Sequence, residues 1–213
     1  MNKEKLIDIL NGLNASDYPL KADFHMHSNY SDGLISPQEI ASQAEKLGMK
    51  YISIADHNTI EAYLASNVLA SSIVIPSAEF DCYYKKNIIH ILGLGLDIDN
   101  KELRDMCSED EKIRKNKIYR VQHLKKPEEV IKTIKNAGGI AVLAHPARYM
   151  FSDLETFAKP LIDLGINGIE AYYPYKGLKS LFRSVEDVRI YAFADKYNLV
   201  KTGGSDFHGR KIR

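Results

Sequence analysis

The chain has 213 residues, 45% of them hydrophobic, enough to bury one sizeable core and nothing like a fibrous or disordered composition. Its 29 Lys and Arg nearly balance 28 Asp and Glu, for a formal net charge of +1, so no global basic field marks a nucleic-acid binder. The opening MNKEKLIDIL lacks a signal-peptide core, and no apolar run approaches the roughly 20 residues that span a bilayer, which gives the expectation of a cytoplasmic protein.

The first 20 residues contain a short amphipathic helix, IDILNGL. From about residue 20, short apolar or β-branched runs alternate with amphipathic stretches, the pattern of β-α units around a parallel sheet. Strands are expected at 21–26, 50–55, 72–79, 87–94, 140–144, 167–172 and 200–204. Between them, SPQEIASQAEKLGM offers Ser36 as N-cap and Pro37 at the first helical position, and further helices fit 58–70, 127–137, 153–164 and 184–198. The third and fourth strands lie so close across DCYYKKN that they suit a hairpin, which breaks the alternation. The expected fold is therefore α/β, a distorted seven-stranded (β/α)7 barrel, in a single domain over 1–213. Residues 97–126 are charged and only partly periodic, a helical excursion. Arg213 follows closely on GGSDFHG with no closing helix, which reads as an open barrel end or a truncated product. Cys82 and Cys107 form no CxxC pattern and are read as bystanders.

Six of the seven histidines fall at or just beyond the ends of expected strands: His25, His27, His57, His90, His145 and His208. The C-terminal face of a barrel is where loops from different strands converge, so these distant residues can share a metal. His25 and His27 point to one face of a strand, with Asp23 behind them. Glu79 and Asp206 add carboxylates at two more strand ends. Imidazole mixed with carboxylate oxygen suits Mn, Fe or Zn and argues against a thiolate-rich structural zinc site. No nucleophile elbow, GxGxxG or Walker loop is present, which leaves hydrolysis by metal-activated water as the economical chemistry. Asp56, beside His57, has the position of a carboxylate that orients ligands or manages a proton.

The strings HMHSNYSDG, ADHNT, SAEF, IIHILGLG, GGIAVLAHPARY and GGSDFHG, spread over 22–209, resemble in order the successive motifs of the PHP (polymerase and histidinol phosphatase) family. Within it the chain resembles stand-alone phosphoesterases acting on nucleotides and oligonucleotide ends. The resemblance implies a trinuclear site. One ion takes His25, His27, Glu79 and Asp206; a second shares Glu79 and adds His90 and His145; a third takes Asp32, His57 and His208. In such a site, hydroxide bridging two metals attacks phosphorus in line, and His208, Asp206 or a water on the third metal protonates the leaving oxygen.

Arg148, three residues after His145, is placed to fork onto a phosphate oxygen, and Tyr172, Tyr173, Tyr175 and Lys176 are candidates for stacking a base. The basic run from Lys112 to Lys126 reads as a solvated helix face in preference to a lid that steers a nucleotide or oligonucleotide end, with His123 unrelated to the site. The expected partner is a phosphorylated small molecule, a nucleotide or an oligonucleotide end. The competing readings are a histidinol-phosphate phosphatase, an amide-cleaving barrel hydrolase, for which no strand-end lysine is present, and a non-catalytic or proofreading module of a larger nucleic-acid-processing assembly.

Overall fold

The computed structural model describes residues 2–173 and 183–212. Seven strands are interleaved with helices in a mixed α/β fold. Strands β1 (Ala22–Met26) and β2 (Tyr51–Ile54) pair in parallel. Strands β3 (Ser77–Tyr84), β4 (Asn87–Leu94), β5 (Ile140–Leu143), β6 (Gly168–Tyr172) and β7 (Val200–Gly203) form a second sheet in chain order. Pairing is antiparallel for β3/β4 and β4/β5 and parallel for β5/β6 and β6/β7. Among the described residues the two sheets are linked by isolated bridges, Ile52 to Val74, His57 to Glu79 and Met26 to Phe207, and their ladders form no continuous closed barrel.

The hairpin forms, but later in the chain than the sequence suggests. Strand β3 starts at Ser77 rather than residue 72, since Pro76 cannot donate to a ladder and the preceding segment touches β2 through the Val74 bridge alone. It then runs to Tyr84, and Lys85 and Lys86 turn the chain with φ of 45° and 62°. Two consecutive positive φ values are those of a type I′ turn, normally announced by Asn-Gly. The helix expected over 58–70 shrinks to α3 (Glu61–Leu64) and a 3-10 turn at Val68–Ala70, because Ser66 Oγ bonds back to the Ala62 carbonyl and ends the first turn.

The other helices follow their caps. Helix α1 (Lys3–Asn11) is capped by Asn2, α2 (Pro37–Lys46) by Ser36, and α8 (Leu154–Leu164) by Asp153, whose side chain accepts from Thr156 N at 2.7 Å. The excursion is three short helices, α4 (Lys101–Met106), α5 (Glu111–Lys115) and α6 (Lys117–Gln122), before α7 (Pro127–Asn136); α9 spans Arg183–Lys196.

Alternation along the strands feeds two cores. In β5, Ile140 and Val142 join Leu6 and Leu10 of α1, Phe24, Leu92 and Leu94 in the smaller cluster. Ala141 and Leu143 face the larger one, with Val130, Ile131 and Ile134 of α7. Past β7 the chain runs along β1: His27 N donates to Phe207 O at 2.8 Å and Phe207 N to His25 O at 3.3 Å. This crossing brings residues 205–208 beside His25 and His27. Gly204 permits it, since a Cβ there would lie 2.2 Å from His25 Cβ and 2.7 Å from His25 N. Gly204→Ala is expected to destabilise the fold by about 1–3 kcal/mol as an overpacking change, read as a lowered midpoint in urea.

Candidate metal centre

Strands and the segments that follow them carry every expected ligand. His25 and His27 come from the end of β1, Asp32 from the loop after it, and His57 from just beyond β2. Glu79 and His90 sit within β3 and β4, and His145, Asp206 and His208 follow β5 and β7. His145, Asp206 and Asn58 hold positive φ (28°, 52° and 54°), and such non-glycine strain of about 1–3 kcal/mol per residue collects at functional sites.

Glu79 is 1% exposed and stands among five imidazoles. Its Oε1 lies 2.8 Å from His90 Nδ1, 3.1 Å from His25 Nε2 and 3.2 Å from His145 Nε2, while Oε2 lies 3.3 Å from His57 Nδ1 and 3.4 Å from His27 Nε2. Four overlapping groups have their ligand atoms within 4.8 Å of one another: His25, Glu79 and His145; His57, Glu79 and His90; His25, His27 and Asp206; and His27, Asp32, His57 and His208. Together they contain all nine residues of the expected ligand set. The grouping differs in detail, because Glu79 leans on His25 in one group and on His57 in another.

The donor atoms fit a cation. His25 Nδ1 lies 3.0 Å from Glu170 Oε1; a carboxylate can only accept, so that nitrogen carries the proton and Nε2 turns its lone pair inward. His208 Nδ1 is fixed in the same way by Asp206 O at 2.8 Å, leaving Nε2 3.1 Å from Asp32 Oδ1. His25 Nε2, both nitrogens of His27, His57 Nδ1, His145 Nδ1 and Glu79 Oε2 are buried without a hydrogen-bond partner. Lone pairs facing carboxylate oxygens at these distances need positive charge between them, either protons or metal ions.

Without metal, protons fill that need at His25 and His90, whereas burial holds the His27 and His145 imidazoles below their ordinary value. Burial works to lower the His90 imidazole, but Glu79 and Asp81 outweigh it and push it up to about 10. Burial likewise opposes ionisation of Glu79, and His90, His25 and His57 overcome it, holding the carboxyl well below its usual range. Asp206 is held low despite burial, chiefly by His27 and His25.

Three residues of this site escape a reading of the sequence. Glu170, within β6, also accepts from His145 N at 2.8 Å, so one carboxylate orients two of the imidazole-bearing residues. An acid in the buried strand GIEAY was its signal. Asp81 shares a strand face with Glu79 and lies 3.0 Å from His90 Nε2 and 3.4 Å from His57 Nδ1. Arg120 belongs to the run read as solvated, yet it is 5% exposed and donates to Asp32 Oδ2 at 2.9 Å. This corrects the solvated reading for Arg120; Ile118, Tyr119 and Val121 around it are exposed.

Asp56 accepts from Ser28 N at 2.8 Å and from the hydroxyls of Ser28 and Ser31 at 2.6 Å, so it braces the loop that carries Asp32. Asp23 receives Ser205 N and His25 N, and burial pushes its carboxyl up to about 6. Arg148 is half exposed and donates to Asp206 Oδ2 and to the Tyr173 hydroxyl, both at 2.9 Å; Tyr173 in turn donates to Asp206 at 2.6 Å. Tyr172 stacks on Tyr18 with ring centres 5.0 Å apart. Tyr175 and Lys176 lie outside the described residues. His123 sits on the exposed end of α6, away from the cluster, bonded to Tyr119 O. Above the nine residues opens a pocket of about 490 Å³, walled by Lys117, Arg120, Val121, Leu124, Arg148 and Tyr149 among others.

A mixed α/β fold whose strand ends converge on a buried cluster of histidines and carboxylates defines a metallohydrolase-like class. The chain belongs to the PHP domain family, which matches residues 23–194. It is 24% identical over 255 aligned residues to the phosphoribosyl 1,2-cyclic phosphate 1,2-diphosphodiesterase of Eggerthella lenta, covering 88% of this chain and 94% of that one. It is also 24% identical over 253 residues to the 3',5'-nucleoside bisphosphate phosphatase of Chromobacterium violaceum, covering 87% and 86%. Its fold matches a solved Bifidobacterium adolescentis protein described as a metal-dependent phosphoesterase, with a TM-score of 0.71, 20% identity and coverage of 91% and 90%. Among the described residues no helix is long and apolar enough to cross a membrane.

Two outcomes are expected. Glu170→Gln, which places an amide where two donors now converge, should weaken divalent-ion affinity about 10- to 100-fold in calorimetric titration. Because His90 is raised to about 10 and must lose its proton to ligate, ion binding should release protons and tighten as pH rises from 6 to 9. Titrations in buffers of differing ionisation enthalpy read this directly; binding that is independent of pH contradicts it.

Proposed function

We propose that this chain is a metal-dependent phosphoesterase that hydrolyses phosphate esters of small nucleotide or ribose-phosphate compounds. The observation that carries the reading is Glu79, a buried carboxylate with five imidazoles within 3.4 Å. The two relatives named for phosphoester cleavage over nearly the whole chain support it. The ions are two or three of Mn, Fe or Zn, in keeping with nitrogen and oxygen donors. The bridges from β2 to β3 and from β1 to residue 207 favour treating the seven strands as one strongly distorted barrel in a single domain.

Divalent ions held by these residues would supply Lewis acidity toward the phosphoryl oxygens and ease the ionisation of water at neutral pH. The protein's own groups do the rest. His25, His27, Glu79 and Asp206 would hold one ion, Glu79, His90 and His145 a second, and Asp32, His57 and His208 a third. Glu170 fixes His25 and His145, and Asp56 fixes the Asp32 loop, so the ligands are aimed before substrate arrives. Arg148, on the pocket wall, trades Asp206 and Tyr173 for a phosphate oxygen of the substrate. His208, 36% exposed at the rim, is the candidate to pass a proton from Nε2 to the leaving oxygen while the third site holds no ion. Asp206 serves as anion and ligand rather than acid.

Glu79→Gln and His145→Ala are expected to lower kcat at least about a thousandfold while the circular dichroism spectrum stays native; full activity in both would sink the scheme. Arg148→Ala should raise KM about tenfold or more, the loss of a charge-assisted hydrogen bond, with a smaller effect on kcat. The substrate class is tested by a metal-reconstituted screen of nucleoside bisphosphates, ribose cyclic phosphates, histidinol phosphate and short 5'-phosphorylated oligonucleotides. Inactivity on all four with metal bound would favour the non-catalytic module.

A further inference from the structure

Arg120 is the one buried residue of α6. Its Nη1 donates to Arg114 O at 2.9 Å, which ties α6 to α5, and its Nη2 donates to Asp32 Oδ2 at 2.9 Å. Its Nε has no hydrogen-bond partner and lies 3.6 Å from Asp81 Oδ2. The end of the excursion is in turn pinned to β3, with Lys125 N donating to Asp81 O at 2.9 Å and Tyr83 N to Lys125 O at 3.0 Å. A guanidinium that stays charged at any working pH is thus fixed between two carboxylates of the site.

Its position is uneven with respect to the four ligand groups. Asp32 Oδ2, which Arg120 engages, is also 3.6 Å from His57 Nε2, in the group formed by His27, Asp32, His57 and His208. The two groups built on Glu79 touch no arginine among the described contacts. Arg148 reaches Asp206, but it is half exposed, so it can swing into solvent and is screened there. Arg120 can do neither. A divalent ion entering beside Asp32 must share that carboxylate with a buried fixed cation, and like charges a few ångströms apart inside a protein repel strongly.

We propose that Arg120 is a resident cation at the third site, making the ion beside Asp32, His57 and His208 the weakly bound, exchangeable member of the set. The inference rests on the metal reading of the nine residues above. It joins α6 to the metal centre: the helix that walls the substrate pocket is anchored through the same arginine that lowers third-ion affinity.

The test uses the full chain and manganese alone. Protein loaded with manganese is dialysed against metal-free buffer and its retained ions are counted by mass spectrometry; the depleted sites are then titrated calorimetrically. The expected result is a retained set plus one further ion bound at least about tenfold more weakly, a step that Asp32→Asn removes. In Arg120→Met that step should tighten about tenfold or more, and in Arg120→Lys, which keeps the charge, it should stay near the native value. Equal affinity for every ion in the native chain overturns the proposal, whether or not Arg120→Met folds. An unchanged or weakened last step in a folded Arg120→Met also overturns it. If no manganese binds at all, the metal reading itself falls, and the proposal with it.

Discussion

A buried carboxylate organises this protein. Glu79 is almost wholly removed from water, and an unpaired anion there would cost several kcal/mol. Five imidazoles meet it, four at or beyond the ends of β1, β2 and β5 and one from within β4. Glu170 holds His25 and His145, the His57–Glu79 bridge sets the height of β2 against β3, and Gly204 lets the 205–208 segment lie against His25. The fold reads as a device for bringing strand ends close enough that their charges must be shared. Protons can do the sharing, but the inward-facing lone pairs of His25 and His208 suit a cation better.

Much of this was legible in the sequence because it is local. The capped starts of α2 and α8 depend on Ser36 and Asp153 three residues before their partners, and strand histidines two apart must share a face. Eight of the nine candidate ligands could be picked out because they end or follow expected strands, Asp32 came from the family resemblance, and the structure gathers all nine into four overlapping groups. What stayed hidden is non-local. The Lys85-Lys86 turn carries no glycine or asparagine, so its positive φ values leave no mark on the composition. Glu170 looks like one acid among apolar strand residues until β5 and β6 are paired. Arg120 sits amid charges that are solvated, and only the packing of the excursion over β3 turns it inward. Closure of the barrel is likewise a matter of sheet pairing, and the ladders divide into two and five strands.

The same geometry separates what is fixed from what can vary. Five of the nine candidate ligands, His25, His27, His57, Glu79 and His145, are buried, and two of the nine, His145 and Asp206, hold strained positive φ. The pocket wall comes from α6 and the loop after β5, surface elements that carry Lys117, Val121, Leu124, Arg148 and Tyr149. Under the proposed function the candidate ligands would set the chemistry and the wall the choice of substrate. The two phosphoester-cleaving relatives, alike in overall extent yet named for different substrates, fit that division.

If Glu79 and the eight residues around it form a metal centre, crystals grown with manganese will show anomalous X-ray peaks about 2–2.3 Å from the inward nitrogens of His25 and His90 and from the carboxylate oxygens of Glu79. A well-ordered site with no peak there, or manganese bound only elsewhere on the molecule, would contradict it.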